Sequence, residues 1–112
     1  MDREFASFET EMNRGFLQVL VLVALEKRMY GYGMINRLEG MGYRVEENTL
    51  YPLLRRLEKN GWIGSEWDVS EERPRKFYSI TAAGKVVRKQ ALALWSKQAG
   101  ILEKFKEDVC DE

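Results

Sequence analysis

The sequence predicts a mainly α chain carrying a small β-hairpin, an α+β fold, and three observations lead there. Residues 47–61 (ENTLYPLLRRLEKNG) separate at helical spacing into a leucine face and a polar face. Two short runs with strand-like alternation follow directly after Gly61. Residues 82–109 then hold apolar side chains at steps of four and three without a proline, the pattern of one long helix. The expected division is residues 1–81 as a compact unit and residues 82–112 as the long helix and tail.

Taken in order, the first ten residues read as a frayed end or arm. Residues 10–27 read as a helix with Met12, Phe16, Val19, Leu20, Val23 and Ala24 on one face. The valine-rich LQVLVLVAL also suits a strand, but its length and charged flanks favour a buried helix, with Phe16, Leu20 and Val23 at the centre of the core. In MYGYGMINRLEGMG, Gly31 and Gly33 are expected to break that helix and allow a tight turn. A short helix over residues 31–39 follows, with Ile35 and Leu38 inward, stopped by Gly40 and Gly42.

In the next helix Leu50, Leu53, Leu54 and Leu57 point inward. Asn48, Tyr51, Pro52, Arg55 and Lys59 fall opposite, with Thr49 and Arg56 along a margin. Pro52 admits two readings. The helix starts at Pro52, where a first-turn proline is welcome. Otherwise it starts near Glu47, with a solvent-side kink where the proline deletes a hydrogen bond; the inward Leu50 favours this second reading. The strands are residues 62–68, with Ile63 and Trp67 on one face, and residues 76–81, with Tyr78 and Ile80 on one face; VSEERPR between them suits a hairpin tip. Thr81 is a candidate N-cap for the last helix. Its stripe of Val87, Ala91, Leu94, Gln98, Ile101 and Phe105, flanked by Arg88, Trp95, Leu102 and Val109, would extend ~40 Å. That exceeds what so small a core can cover, which argues for a second copy; the alternative is folding back on the first helix.

Composition removes much chemistry. At 112 residues, 45% hydrophobic and 32% charged, the chain is one globular domain's worth rather than a disordered segment. It contains no histidine, which excludes Ser-His-Asp and Cys-His machinery and imidazole metal ligands. Cys110 is alone and reads as an exposed tail thiol, so neither a disulfide nor a cysteine-clustered zinc site is expected. Gly31-Tyr32-Gly33 fails as a dinucleotide fingerprint because position 36 is Asn. Glu46-Glu47 and Glu71-Glu72 read as solvated charge. No enzyme and no cofactor are expected. The longest apolar run, residues 16–25, is about half a membrane span, and nothing before it resembles a signal peptide, so no membrane partner and a cytoplasmic location are expected.

Net charge is zero, yet unevenly spread. Asp2, Glu4, Glu9 and Glu11 dominate the start against Arg3 alone, while residues 73–102 hold Arg73, Arg75, Lys76, Lys85, Arg88, Lys89 and Lys97 with no acid. Such a chain has a preferred face for an anionic partner. The amide, hydroxyl, phenol and guanidinium groups of residues 48–59 are types that read base edges and grip phosphates. Two short helices about a turn, followed by a hairpin with a cationic tip at Arg73, Arg75 and Lys76, describe a winged helix-turn-helix.

The segments YGYGM, NTLYPLLRRLEKNGWI and RPRKFYSITAAG, spanning residues 30–84, resemble the PadR family of transcriptional regulators, in its shorter form with one C-terminal helix. The resemblance implies residues 1–81 as a DNA-binding domain and residues 82–112 as a dimerisation helix and tail. It implies a homodimer on a near-palindromic double-stranded operator, usually acting as a repressor. It favours the helix that continues through Pro52, and puts Thr49, Tyr51 and Pro52 at the DNA surface, with Arg73, Arg75 and Lys76 as wing contacts. With the wheel, this gives Asn48, Thr49, Tyr51, Pro52, Arg55, Arg56, Lys59, Arg73, Arg75 and Lys76 as DNA-binding candidates. Some members bind flat aromatic compounds between tryptophans of the last helix, where Trp95 stands here, which makes a small aromatic effector a candidate partner; the same ring also suits packing. Many members carry a small Ser-x-Gly before TLYP. This chain has Glu46-Glu47-Asn48, acids that suit a helix N-terminus but repel phosphate. Rival readings are a protein-interaction module or a multidrug sensor with little intrinsic DNA binding.

Overall fold

The leucine stripe of residues 50–57 becomes the middle of the molecule. A computed structural model describes residues 3–109, which form α1 (Arg3–Ala24), β1 (Met29–Tyr30), α2 (Gly31–Gly40), α3 (Glu47–Lys59), β2 (Ile63–Asp68), β3 (Arg75–Ile80) and α4 (Ala82–Val109). Cys110 lies outside the described residues. Leu50, Leu53, Leu54 and Leu57 of α3 meet Leu17, Val21, Leu22 and Leu25 from the α1 side and Met34, Ile35 and Leu38 of α2; Ile63 and Tyr78 of the sheet close the core.

α3 begins at Glu47 and is continuous through Pro52, as the second reading expects. The N–H that proline lacks would have bonded the carbonyl of Asn48, and both residues are solvent-exposed, so water can replace the bond. α2 and α3 end alike. The Gly42 and Tyr43 amides bond the carbonyls of Glu39 and Leu38, and the Gly61 and Trp62 amides bond those of Glu58 and Leu57. Gly42 and Gly61 take φ of 90° and 80°, the left-handed conformation that this helix stop requires. The hairpin forms as expected within a residue at each boundary, with Ile63 opposite Ile80 and Asp68 opposite Arg75. Thr81 caps α4: its hydroxyl accepts from the Gly84 amide at 3.0 Å and donates to the Gly61 carbonyl at 2.7 Å.

Three expectations are corrected. The first residues are not an arm, because α1 is helical from Arg3 and ends at Ala24 rather than Lys27. Phe5, Phe8, Met12 and Phe16 extend its apolar spacing toward the N-terminus, and Glu4 sits favourably at the positive end of the helix dipole. Phe16, Leu20 and Val23 are not the core centre; Leu17, Val21, Leu22 and Leu25 are buried, while Val23 is 41% exposed. A segment apolar all round does not announce its inward face, and packing against α2 and α3 decides it. The tight turn expected at Gly31 is absent, because Gly31 opens α2 directly after the strand β1, which pairs with β3 and gives a three-stranded sheet of order β1-β3-β2. Trp67 shares the face of Ile63, as expected, and is 63% exposed because β2 runs past the end of the core.

α4 crosses α1 only over its first half. Arg88 pairs with Glu26 at 2.6 Å and Trp95 packs on Phe16, so part of the folding-back alternative is present. Beyond that, Ile101, Leu102, Phe105 and Val109 are 56–65% exposed. At 28 residues the helix is about 42 Å long.

Gly31 gives a direct test of packing. A Cβ there would lie 2.7 Å from Cε1 and Oη of Tyr51, whereas Gly33 has nothing within 4 Å. Gly31→Ala should destabilise by about 1–3 kcal/mol through overpacking. Gly33→Ala, at an open helical position, should stabilise by up to about 1 kcal/mol. Urea unfolding of both variants separates the two effects.

Candidate nucleic-acid interface

Burial of the leucines turns the opposite face of α3 outward. Asn48, Thr49, Pro52, Arg55, Arg56 and Lys59 are exposed there. Tyr51 differs from the helical-wheel expectation. It is half-buried, its ring lying over Gly31 at the start of α2. Thr49 faces the α1 flank, lining a recess of about 390 Å³ with Thr10, Asn13, Arg14, Tyr43, Arg44 and Glu46. Asn48 lines a shallow trough between α2 and α3 with Tyr32, Asn36, Glu39, Arg44, Glu46 and Glu47.

Tyr51 is also where α3 meets the hairpin. With Tyr30, Tyr32, Asn36, Trp67 and Tyr78 it lines a cleft of about 650 Å³, and Arg73, Arg75 and Lys76 supply its cationic wall. The structure thus brings Tyr51 and the three wing cations of the sequence reading into one concavity. Arg55, Arg56 and Lys59 remain on the helix surface, and Trp95 lies apart on α4.

The cations fall into two groups. Arg55, Arg56, Lys59 and Arg73 make no salt bridge among the described residues, so their charge is available to an anion. Arg75 and Lys76 are held. Arg75 lies 4.8 Å from the centre of the Tyr30 ring and 3.5 Å from the Glu71 carboxylate. Lys76 Nζ lies 3.9 Å from Glu58 and within 6 Å of the Trp67 and Tyr78 rings, at 5.8 and 5.7 Å. Tyr30 stacks on Phe77 at 3.9 Å, and Arg28 covers the Phe77 ring at 3.8 Å. The layered order is Arg28, Phe77, Tyr30, Arg75.

Hydroxyl chemistry is suited to donation. Burial pushes the phenol pKa values of Tyr51, Tyr78 and Tyr30 above the ordinary tyrosine value; like any tyrosine they are neutral near pH 7 and do not repel phosphate. The Tyr30 hydroxyl donates to Asp68 at 3.2 Å. The Asp68 carboxyl is held below its usual range, chiefly by hydrogen bonds from the Ser70 hydroxyl and amide. Trp95 is 45% exposed and packs one side against Phe16 at 5.2 Å, whose ring meets Tyr43 edge-on at 5.5 Å.

Sequence reasoning missed Arg28, Tyr30, Tyr32, Asn36, Arg44 and Trp67 as members of this surface. Tyr30 and Tyr32 bracket Gly31, and that pairing of aromatics about a glycine at a helix start was the one available signal. Among the described residues, no group of three His, Cys, Asp or Glu could hold a metal ion, and no helix is long and apolar enough to cross a membrane.

Comparison with known proteins agrees with this geometry. A crystal structure of a PadR family transcriptional regulator from Eggerthella lenta is 40% identical and superposes with a TM-score of 0.86, covering 92% of each chain. A transcriptional regulator from Clostridium thermocellum is 32% identical with a TM-score of 0.79, covering 85% of this chain and 97% of its own. A transcriptional regulator from Mycobacterium tuberculosis is 40% identical over 62 residues, 55% of this chain and 58% of that protein. The family is one of transcriptional regulators, not enzymes. With its model matching residues 19–90, the chain belongs to the transcriptional regulator PadR-like family.

Proposed function

We propose that this chain is a sequence-specific DNA-binding repressor acting as a homodimer, with residues 1–81 engaging double-stranded DNA and residues 82–112 joining the two copies. The observation that carries the reading is the cleft shared by Tyr51 of α3 and Arg73, Arg75 and Lys76 of the wing. A recognition helix in a major groove leaves a sugar–phosphate strand running between helix and wing. A concave surface of neutral phenols and cations suits that strand. Asn48, Pro52 and Arg55 face the groove in this reading, Tyr51 meets the backbone strand from the cleft, and Thr49 stands at the margin on the α1 flank. Arg56, Lys59, Arg73, Arg75 and Lys76 supply the phosphate-facing charge.

Dimerisation is supported by the apolar side chains that α4 leaves uncovered, Leu94, Trp95, Ile101, Leu102, Phe105 and Val109. A two-fold pairing of α4 helices buries them and spaces two recognition helices for adjacent major grooves, about 34–36 Å apart. Trp95, half open beside Phe16, is the proposed platform for a small flat aromatic effector at that interface. Such a ligand acts only by favouring one helix spacing over another.

The first test is a salt titration on the duplex that the protein enriches from a random-sequence pool, against random competitor. Tight, competitor-resistant binding that falls steeply with salt is expected; weak binding, insensitive to salt, would favour a protein-interaction module instead. Arg55→Ala should reduce discrimination between the enriched and random duplexes by about 1–3 kcal/mol. Arg73→Ala should weaken both alike and lower the salt slope by about one. Leu102→Asp should convert dimer to monomer in analytical ultracentrifugation, and a dimer that persists would remove α4 from the interface. Planar aromatic cations should quench tryptophan fluorescence in the wild type and lose that effect in Trp95→Ala.

A further inference from the structure

We propose that Glu58 is a positioning residue that sets the angle of the wing against the recognition helix, an inference that rests on the DNA-binding reading above. Its carboxylate ties α3 to both hairpin strands at once. Oε2 accepts a hydrogen bond from the Ser65 hydroxyl of β2 at 2.5 Å. Oε1 faces Nζ of Lys76 on β3 at 3.9 Å.

The placement matters mechanically. The hairpin leaves α3 through a short turn at Gly61, and Thr81 pins its base by donating to the Gly61 carbonyl at 2.7 Å. On the α2 side β1 pairs with β3 at Tyr78 and Phe77, and the Tyr30 hydroxyl bonds Asp68, but neither contact runs to α3. The link at Ser65 and Lys76 runs from α3 itself and so bears on the angle between helix and hairpin. Ser65 lies opposite Tyr78 and Lys76 opposite Trp67 in the strand register, so the tie grips the hairpin well above its base. Arg73 and Arg75 lie beyond it, nearer the tip, and inherit the angle it sets.

The sign of the effect distinguishes this role from plain electrostatics. Glu58 lies seven residues after Tyr51 and three after Arg55, on the flank that faces the cleft. A carboxylate near bound phosphates repels them, so removing it should tighten DNA binding if charge alone governed. A positioning role gives the opposite result, because the freed wing must be ordered again on each encounter.

The experiment uses the full chain and the duplex that the wild-type protein enriches from a random-sequence pool. Glu58→Ala and Ser65→Ala should each weaken binding about three- to tenfold, the range of a half-exposed hydrogen bond to a charged group. The double variant should bind no more weakly than Glu58→Ala, since both remove one linkage. Glu66→Gln, which removes a carboxylate from the same strand without a partner among the described residues, should bind as tightly as wild type or more so. Hydrogen exchange of the amides of residues 63–68 and 75–80 should quicken in Glu58→Ala while those of α1 hold. Glu58→Ala binding as tightly as wild type, or additive losses in the double variant, would overturn the proposal. If the wild-type protein enriches no sequence, the DNA-binding reading falls separately. Hairpin exchange then decides the tie: faster in Glu58→Ala supports it, and unchanged exchange rejects it.

Discussion

Leu50, Leu54 and Leu57 are withdrawn completely from solvent and Leu53 is 6% exposed, which fixes the rotation of α3 about its own axis. Each leucine so buried contributes about 1.5–3 kcal/mol relative to exposure. Turning the helix by one residue would expose part of that stripe and push Arg55 or Glu58 into the core, a cost no surface contact could offset. The outward residues therefore take their directions from the inward ones. Pro52 is tolerated for the same reason, since the lost hydrogen bond falls on the solvent side while the leucine beside it stays packed.

The same rotation explains how a chain of zero net charge presents a cationic surface. Three carboxylates on the wing and its flank are engaged, Asp68 by Tyr30 and Ser70, Glu71 by Arg75 and Glu58 by Ser65 and Lys76, while Glu66 and Glu72 have no such partner among the described residues. Arg55, Arg56, Lys59 and Arg73 have no such partner among the described residues. Aromatic rings add a second effect. Arg28 and Arg75 rest on the stacked pair Phe77 and Tyr30, contacts that contribute about 0.5–1 kcal/mol each at exposed sites. Their larger consequence is order, because a guanidinium already held in place would lose less entropy on meeting an anion.

Much of this was legible where local chemistry and tertiary packing agree. Residues 50–57 announce a helix by spacing, Gly61 its end, Thr81 the next start, and residues 82–109 run as one helix because nothing interrupts them. The failures share a cause. β1 has only two residues, too few for any period to show, and it exists because β3 offers an edge to pair with. The inward face of α1 could not be read from a segment apolar all round. Tyr51 looked like a surface residue on a wheel, yet it bends over Gly31 because a glycine leaves room for it. For the candidate site, the cations of α3 and the wing were visible as types and positions. Which of them are restrained was not, since Glu58 meets Ser65 and Lys76 only once the hairpin folds back.

One chain of contacts joins the two ends of the proposed mechanism. Trp95 of α4 packs on Phe16 of α1, and Phe16 meets Tyr43, which directly follows the α2 stop and precedes α3. Tyr43 and Thr49 line the same recess, so this ring series reaches the first turn of the recognition helix. Packing of this kind transmits a signal only where an element has two arrangements of similar energy. Phe16 is half-buried at the edge of the core and touches both rings. A ligand that drew Trp95 away would remove one of two rings holding Phe16, and Tyr43 would then follow or lose its edge contact. In the proposed mechanism, coupling from α4 to α3 would run through a change of partner at a single phenylalanine.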